Sequence, residues 1–236
     1  MTHLLHLDAS ARARSVSRAL GARYASRWRS IHPDAGYTYR DLAAHPVPLI
    51  SEGWTEICDE LLRRGITEPA RYPEVVHGPA RRAAWAVCAP LLDELLAADT
   101  VLIATPMYNF GVPASIKAWI DQVTFPRMSL AGTRFVVVCA RGGTYLPGTP
   151  RAEVEHQESY LRHFFAGHFG VTDATFITTE LTNTLVDPTL ASREADHQRS
   201  YAHALTQIDQ LHQTDQFGEL HQTERPKTAT AGRTDR

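Results

Sequence analysis

The chain predicts an α/β fold: a five-stranded parallel sheet with helices on both faces. Two observations carry that expectation. Short apolar runs, Val101-Leu102-Ile103-Ala104 and Phe135-Val136-Val137-Val138-Cys139, have the unbroken pattern of strands covered on both sides. They alternate with longer stretches of helical periodicity, such as Leu20, Tyr24 and Trp28, and strand–helix alternation builds parallel sheets. With 236 residues, 43% of them hydrophobic, there is material for one domain with extensions.

Each element has its own signal. His3 to Leu7 reads as strand one, Ser15 to Trp28 as helix one and Gly36 to Arg40 as strand two. His45 to Glu52 contains Pro46 and Pro48 and reads as loop. Helices are expected from about Thr55 to Arg64 and from about Pro79 to Ala98. The second offers Trp85, Leu92, Leu95 and Leu96 as a buried face, and Pro90 inside it should kink or split it. Ile66 to Gly78, between the two, reads as a mobile connection or lid because it is rich in breakers. Thr100 to Thr105 is strand three, Pro113 to Val123 a helix, and Arg134 to Ala140 strand four. Glu153 to Phe169 is a helix that Gly170 stops. Thr172 to Thr179 is strand five, and Pro188 to His212 a closing helix. Residues 1–212 are thus expected to form one domain. Residues 213–236 are polar, with Phe217 and Leu220 as their large apolar residues, and are expected to be a disordered tail. By analogy, five strands beginning at the N-terminus fit the flavodoxin-like order 2-1-3-4-5.

Composition excludes several classes. A net charge of -2 argues against nucleic acid as a partner of the whole molecule. No apolar run reaches the ~18 residues of a membrane span. Met1 to Asp8 lacks the features of a signal peptide. Cys58, Cys88 and Cys139 are widely spaced and form no CxxC. Free thiols, mostly buried, in a cytoplasmic protein are the simple reading. His156, His163 and His168 share a helix without the i, i+4 spacing of a helical chelate, so no metal site is expected. Phe164, Phe165 and Phe169 read as core, with a wall of a substrate cleft as the alternative.

Chemistry concentrates in three strand-to-helix loops. In this topology they are the carboxyl-end loops of neighbouring strands, where open α/β sheets bind ligands. The first, Asp8 to Ser17, carries Ser10, Ser15 and Ser17, with Arg12 and Arg14, directly before a helix. Free N–H groups at a helix start and added hydroxyls suit a phosphate, although Ser15 reads equally as an N-cap and the two arginines as solvated charges. The second is Pro106-Met107-Tyr108-Asn109-Phe110, followed by Gly111, Val112 and Pro113. Flat apolar surface beside a side-chain amide suits a heteroaromatic ring; the alternative is packing of a strand-to-helix corner. The third is Ala140-Arg141-Gly142-Gly143-Thr144-Tyr145, where paired glycines let the backbone approach a ligand, or form a plain turn. Together the loops offer phosphate donors, a ring platform and edge donors around one crevice. That set suits a flavin mononucleotide better than a dinucleotide, since no G-x-G-x-x-G follows any strand.

The same pieces carry a family resemblance. With Ser10, the Ser15-Val16-Ser17 triplet, Pro106 to Phe110, Arg141-Gly142-Gly143 and Arg40-Asp41-Leu42-Ala43, the chain resembles the FMN-dependent NADH azoreductases and their relatives, the NAD(P)H:quinone reductases of the flavodoxin-like superfamily. The match runs from about residue 3 to residue 210. The resemblance implies that Ser10, Ser15, Val16 and Ser17 hold the FMN phosphate. It implies that Pro106, Met107, Tyr108, Asn109 and Phe110 line the ring and ribityl chain, and that the loop from Ala140 through Arg141 to Gly142 and Gly143 meets the flavin edge. Asn109 and the Gly142 and Gly143 amides would give electrostatic support, with no acid or base assigned. It also implies bound FMN, transient NADH or NADPH, a small aromatic acceptor such as a quinone or azo compound, and a homodimer. A biosynthetic tailoring reductase, a supplier of reduced flavin to an oxygenase, and a flavodoxin-type carrier are the alternative functions. Two departures stand out: Ala140 replaces a usual Ser, and the segment from Asp121 to Arg134 is short.

Overall fold

The structure, a computed structural model, describes residues 2–223, with side chains as far as Gln213. Five parallel strands form one sheet in the order β2-β1-β3-β4-β5: β1 His3–Asp8, β2 Gly36–Asp41, β3 Thr100–Pro106, β4 Arg134–Ala140 and β5 Thr175–Thr179. The expected fold and strand order are both present. Registers such as Leu5 opposite Val101 and Val101 opposite Phe135 align the strand ends, so the loops leaving β1, β3 and β4 emerge side by side.

Side-chain alternation explains the two helical layers. Leu5, Leu7, Val101, Ile103, Val137 and Cys139 point to one face. There they meet α2 (Glu52–Arg64), α3 (Gly78–Ala97), α4 (Ala114–Val123) and α5 (Gln157–Phe164). Leu4, Leu102, Ala104, Val136 and Val138 point to the other face, against α1 (Val16–Ile31) and α6 (Glu194–Thr223). Leu20, Tyr24 and Trp28 on α1 are buried there, as their spacing predicts. A central strand covered on both sides has no polar face to alternate, which is why β3 is buried at every residue.

Several expectations need correction. Pro90 does not split its helix; α3 runs unbroken from Gly78 to Ala97. Proline removes one N–H and crowds one carbonyl, and burial of Cys88, Leu91, Leu92 and Leu95 around it offsets that loss. Leu96 is 41% exposed and does not join this face. Ile66 to Gly78 is no lid: it contains a 3-10 helix, Pro69–Val75, whose Tyr72 and Val75 are fully buried. The Tyr72 ring packs tilted against Phe125, centroids 4.8 Å apart, so the aromatic side chains outweigh the breakers. The helix expected from Glu153 starts late, at Gln157, because the Glu155 carboxylate accepts the N–H groups of Gln157, Glu158 and Ser159. Its end widens into a π turn, Phe165–Phe169, and Gly170 at φ 70° closes it as expected. Phe165 and Phe169 are fully buried in the core. β5 begins at Thr175 rather than Thr172. The closing helix opens with a 3-10 turn, Pro188–Arg193, and α6 continues past His212 to Thr223. Of the tail expected to be disordered, residues 224–236 lie outside the described residues. Among the described residues no helix is long and apolar enough to cross a membrane.

Candidate functional site

The loops after β1, β3 and β4, joined by the β5–α6 connection, enclose a cleft of about 530 Å3. Every residue expected from the sequence to bind the cofactor lines it except Arg141.

At one end stands the start of α1. Ser15 has extended backbone, φ -116° and ψ 153°, and its hydroxyl accepts from Arg18 N at 3.2 Å. It is therefore an N-cap, and it also lines the cleft. Its Oγ lies 3.2 Å from that of Ser17, a residue with no exposed surface. The Val16 and Ser17 N–H groups have no acceptor among the described residues, as expected at a helix start. Ser10 is buried, and its hydroxyl accepts from Arg12 N at 3.2 Å. Arg12 and Arg14 border the same end, and no carboxylate pairs with either among the described residues.

A clamp behind this loop sets its path. Arg18 donates to the Ser10 carbonyl at 2.7 and 3.3 Å, to Asp41 at 2.8 Å and to Asp8 at 3.2 Å. The Arg18 hydrogen bond is the main cause holding the Asp41 carboxyl down at about 2. Burial, then the hydrogen bond to Asp8, pushes the Tyr39 phenol up to about 12.

The aromatic loop is a tight turn. Tyr108 and Gly111 exchange both backbone hydrogen bonds, at 3.1 and 3.0 Å, around Asn109 at φ 47° and Phe110 at φ 69°. Two positive φ values mark a primed turn. Asn tolerates that region, whereas Phe does so at a cost of order 1–3 kcal/mol. The turn is held from outside by His156 N donating to the Phe110 carbonyl at 3.0 Å and by the Tyr145 ring edge at 6.3 Å. Tyr108 and Phe110 are 39% and 43% exposed, so they face the cleft rather than fill a corner. Tyr108 OH also accepts from Ala11 N at 3.3 Å, which ties this loop to the first.

The glycine loop is pinned by its carbonyls. Those of Arg141, Gly142 and Gly143 accept from the N–H groups of Thr182, Asn183 and Leu181 at 3.0, 3.2 and 3.0 Å. The Gly142 and Gly143 N–H groups donate to no acceptor among the described residues. A Cβ on Gly142 would lie 2.6 Å from Asn183 Oδ1, and one on Gly143 would lie 2.9 Å from Arg151 Nη1. The Asn183 amide leaves no room for a Cβ at Gly142, whereas at Gly143 the near atom is the movable end of the Arg151 side chain. Arg141 instead turns inward: it is 4% exposed and sits 3.1, 3.2 and 3.6 Å from the carboxylates of Glu155, Glu158 and Glu180. Glu180 in turn accepts from Thr144 Oγ1 at 2.6 Å and Tyr145 N at 2.9 Å, so the buried arginine anchors the loop.

Sequence reasoning missed part of the lining: besides Tyr145 at the end of the glycine loop, Arg151 and, from the β5–α6 connection, Thr182, Asn183, Leu185 and Val186 line the cleft. The β5–α6 connection carries no motif. The signal available was topological, since its strand neighbours β4 and it too leaves a carboxyl end.

These features fit FMN. Free amides and hydroxyls at the α1 end suit a phosphate, a flat apolar turn suits the ring, and the free glycine amides suit acceptor atoms on a ring edge. The cleft volume lies within the range of small-ligand pockets.

Known proteins agree with this architecture. A family profile described as having a flavodoxin-like fold matches residues 2–211. An FMN-dependent NADH:quinone oxidoreductase of Nocardia farcinica is 62% identical over 205 residues, covering 87% of this chain and 95% of that protein. A protein of the same name from Streptomyces avermitilis is 35% identical over 228 residues, covering 89% and 99%. In three dimensions, an azoreductase from Bacillus anthracis superposes with a TM-score of 0.69 at 20% identity, over 90% of this chain and 99% of that one. An FMN-dependent NADH-azoreductase of the same species, solved with FMN, gives 0.65 at 19% identity, over 89% and 100%. At those identities the structures speak for the fold alone, and the sequence relatives for the family. Matched along nearly its whole folded length, the chain belongs to the flavodoxin-like family of FMN-dependent NADH:quinone oxidoreductases.

Proposed function

We propose that this protein binds FMN in the cleft and passes two electrons, as hydride, from NADH or NADPH to a flat aromatic acceptor of the quinone or azo class. The observation that carries the reading is one cleft with unsatisfied donors at both ends and an exposed aromatic turn between them. The relatives named as NADH:quinone oxidoreductases support it.

Bound FMN supplies the hydride chemistry; the protein supplies position, charge and exclusion of water. The Val16 and Ser17 amides and the Ser15 and Ser17 hydroxyls hold the phosphate. Tyr108 and Phe110 cover the ring and shed water from the cleft. Asn109 and the Gly142 and Gly143 amides would face the ring edge and favour negative charge there, as donors already in place. Nicotinamide and acceptor share one opening, so they bind in turn.

The working unit is a homodimer of residues 1–212. Its support is the apolar rim of the cleft: Leu185 and Val186, which line it with Phe110, are 53% and 64% exposed, and Leu146, next in the chain to the cleft residue Tyr145, is 59% exposed. A second copy that covers this rim closes the site.

A single preparation tests the reading. Cofactor released by heat should have the mass of FMN, and the protein should sediment as a dimer at micromolar concentration. Double-reciprocal plots for NADH and a quinone should be parallel, the ping-pong pattern. A chain ending at His212 should behave alike. Bound FAD, absence of flavin, or intersecting lines would overturn the scheme.

A further inference from the structure

We propose that Arg151 sets the reduction potential of the bound flavin, as the one cation that lines the glycine end of the cleft among the described residues. This inference rests on the reading that the cleft holds FMN.

Three observations lead to it. The guanidinium lies over the glycine turn: Arg151 Nη1 is 2.9 Å from where a Gly143 Cβ would stand, and the residue lines the cleft. Among the described residues no carboxylate lines the cleft and none pairs with Arg151. The nearby carboxylates are already taken. Glu155, Glu158 and Glu180 surround Arg141 beneath the turn, and Glu155 also caps α5.

Charge matching separates Arg151 from the other cleft arginines. Arg12 and Arg14 stand at the α1 end, where a phosphate monoester brings nearly two negative charges. Arg151 stands at the far end with no counterpart. The free Gly142 and Gly143 amides there draw the acceptor-rich edge of a flavin ring, and reduction adds negative charge to that ring. A neighbouring guanidinium favours the reduced state over the oxidised one, because its attraction grows as the charge appears. Charge near the ring is one of the levers by which a protein tunes a flavin. Among the described residues the exposed Arg151 side chain makes no hydrogen bond, so the fold does not lean on it.

The test compares the wild type with Arg151→Lys, Arg151→Gln and Arg151→Glu. FMN titration gives the affinity for the oxidised cofactor, and equilibration with reference dyes gives the potential of the bound flavin. Arg151→Gln should lose about tenfold in affinity for reduced over oxidised FMN, a potential lower by about 30 mV for a two-electron couple. Arg151→Lys should retain most of the wild-type potential, and Arg151→Glu should fall below Arg151→Gln. A ratio unchanged within about twofold in Arg151→Gln, or an order unrelated to side-chain charge, would overturn the assignment. Failure of the wild type to bind FMN would instead sink the parent reading, and it shows in the first titration.

Discussion

Ser15 and Ser17 look alike in the sequence and differ in the structure. Ser15 caps α1 through Arg18 N, so its loss costs helix stability as well as ligand contact. Ser17 is fully buried, and among the described residues its hydroxyl meets only that of Ser15. Ser17→Ala is therefore the clean probe. It should weaken FMN binding by about 1.5–3 kcal/mol, the value of a hydrogen bond to a charged group, which is one to two decades in Kd. The apoprotein should melt nearly as before. Fluorescence titration of FMN reads the first effect and thermal unfolding the second; equal affinity in the variant would limit the hydroxyl to the cap. At this scale the sequence is a good guide to chemical type and a poor one to orientation. An Asn flanked by aromatics signals an exposed turn because an amide is poor core material, and Asn109 sits in a tight, exposed turn that lines the cleft. Arg141 and Arg151 cannot be told apart by type. Which one turns inward is decided by Glu155, Glu158 and Glu180, one of them from beyond β5, and no local pattern records that.

Among elements, the joint between β1, β2 and α1 has a measurable electrostatic share. Asp41 closes β2, accepts from Arg18 on α1, and accepts from Ala43 N and Ala44 N, both at 3.0 Å. Its carboxyl is held at about 2, against 3.8 ordinarily. A depressed carboxyl stabilises the fold above its ordinary value, and that contribution drains as pH falls towards the folded value. The difference corresponds to about 2 kcal/mol. Asp41→Asn should be less stable by about that amount at neutral pH. Its deficit against the wild type should shrink between about pH 4 and pH 2, followed by denaturant titration at each pH. A deficit constant across that window would mean that shape, not charge, holds the joint. Helix and strand positions were legible where periodicity was long, as in α1 and β4. Breakers misled where burial opposed them: Pro90 stays inside α3, and Tyr72 packs down a segment that reads as a loop. The late start of α5 depends on one carboxylate reaching three N–H groups, which spacing alone does not announce.

For the whole molecule, strand alternation foretold the layers, and analogy alone supplied the order β2-β1-β3-β4-β5. Order is a property of crossovers, which leave no mark on the strands they join. Membership of a quinone-reducing family gives the cysteines a further meaning. Cys58, Cys88 and Cys139 are all free and all buried, and burial pushes each thiol up to about 12. At pH 7 that leaves about one thiolate in 10⁵, and the thiolate is the nucleophile. Quinones are electrophiles that arylate thiolates. Folded protein kept with excess benzoquinone should show no thiol adduct by intact mass, while the denatured chain should gain up to three. A rapid adduct on the folded chain would mean that one of these thiols reaches solvent. A core built to exclude water thus serves as armour: in a family named for reducing quinones, a protein with its thiols buried keeps out of reach the groups such electrophiles would most readily consume.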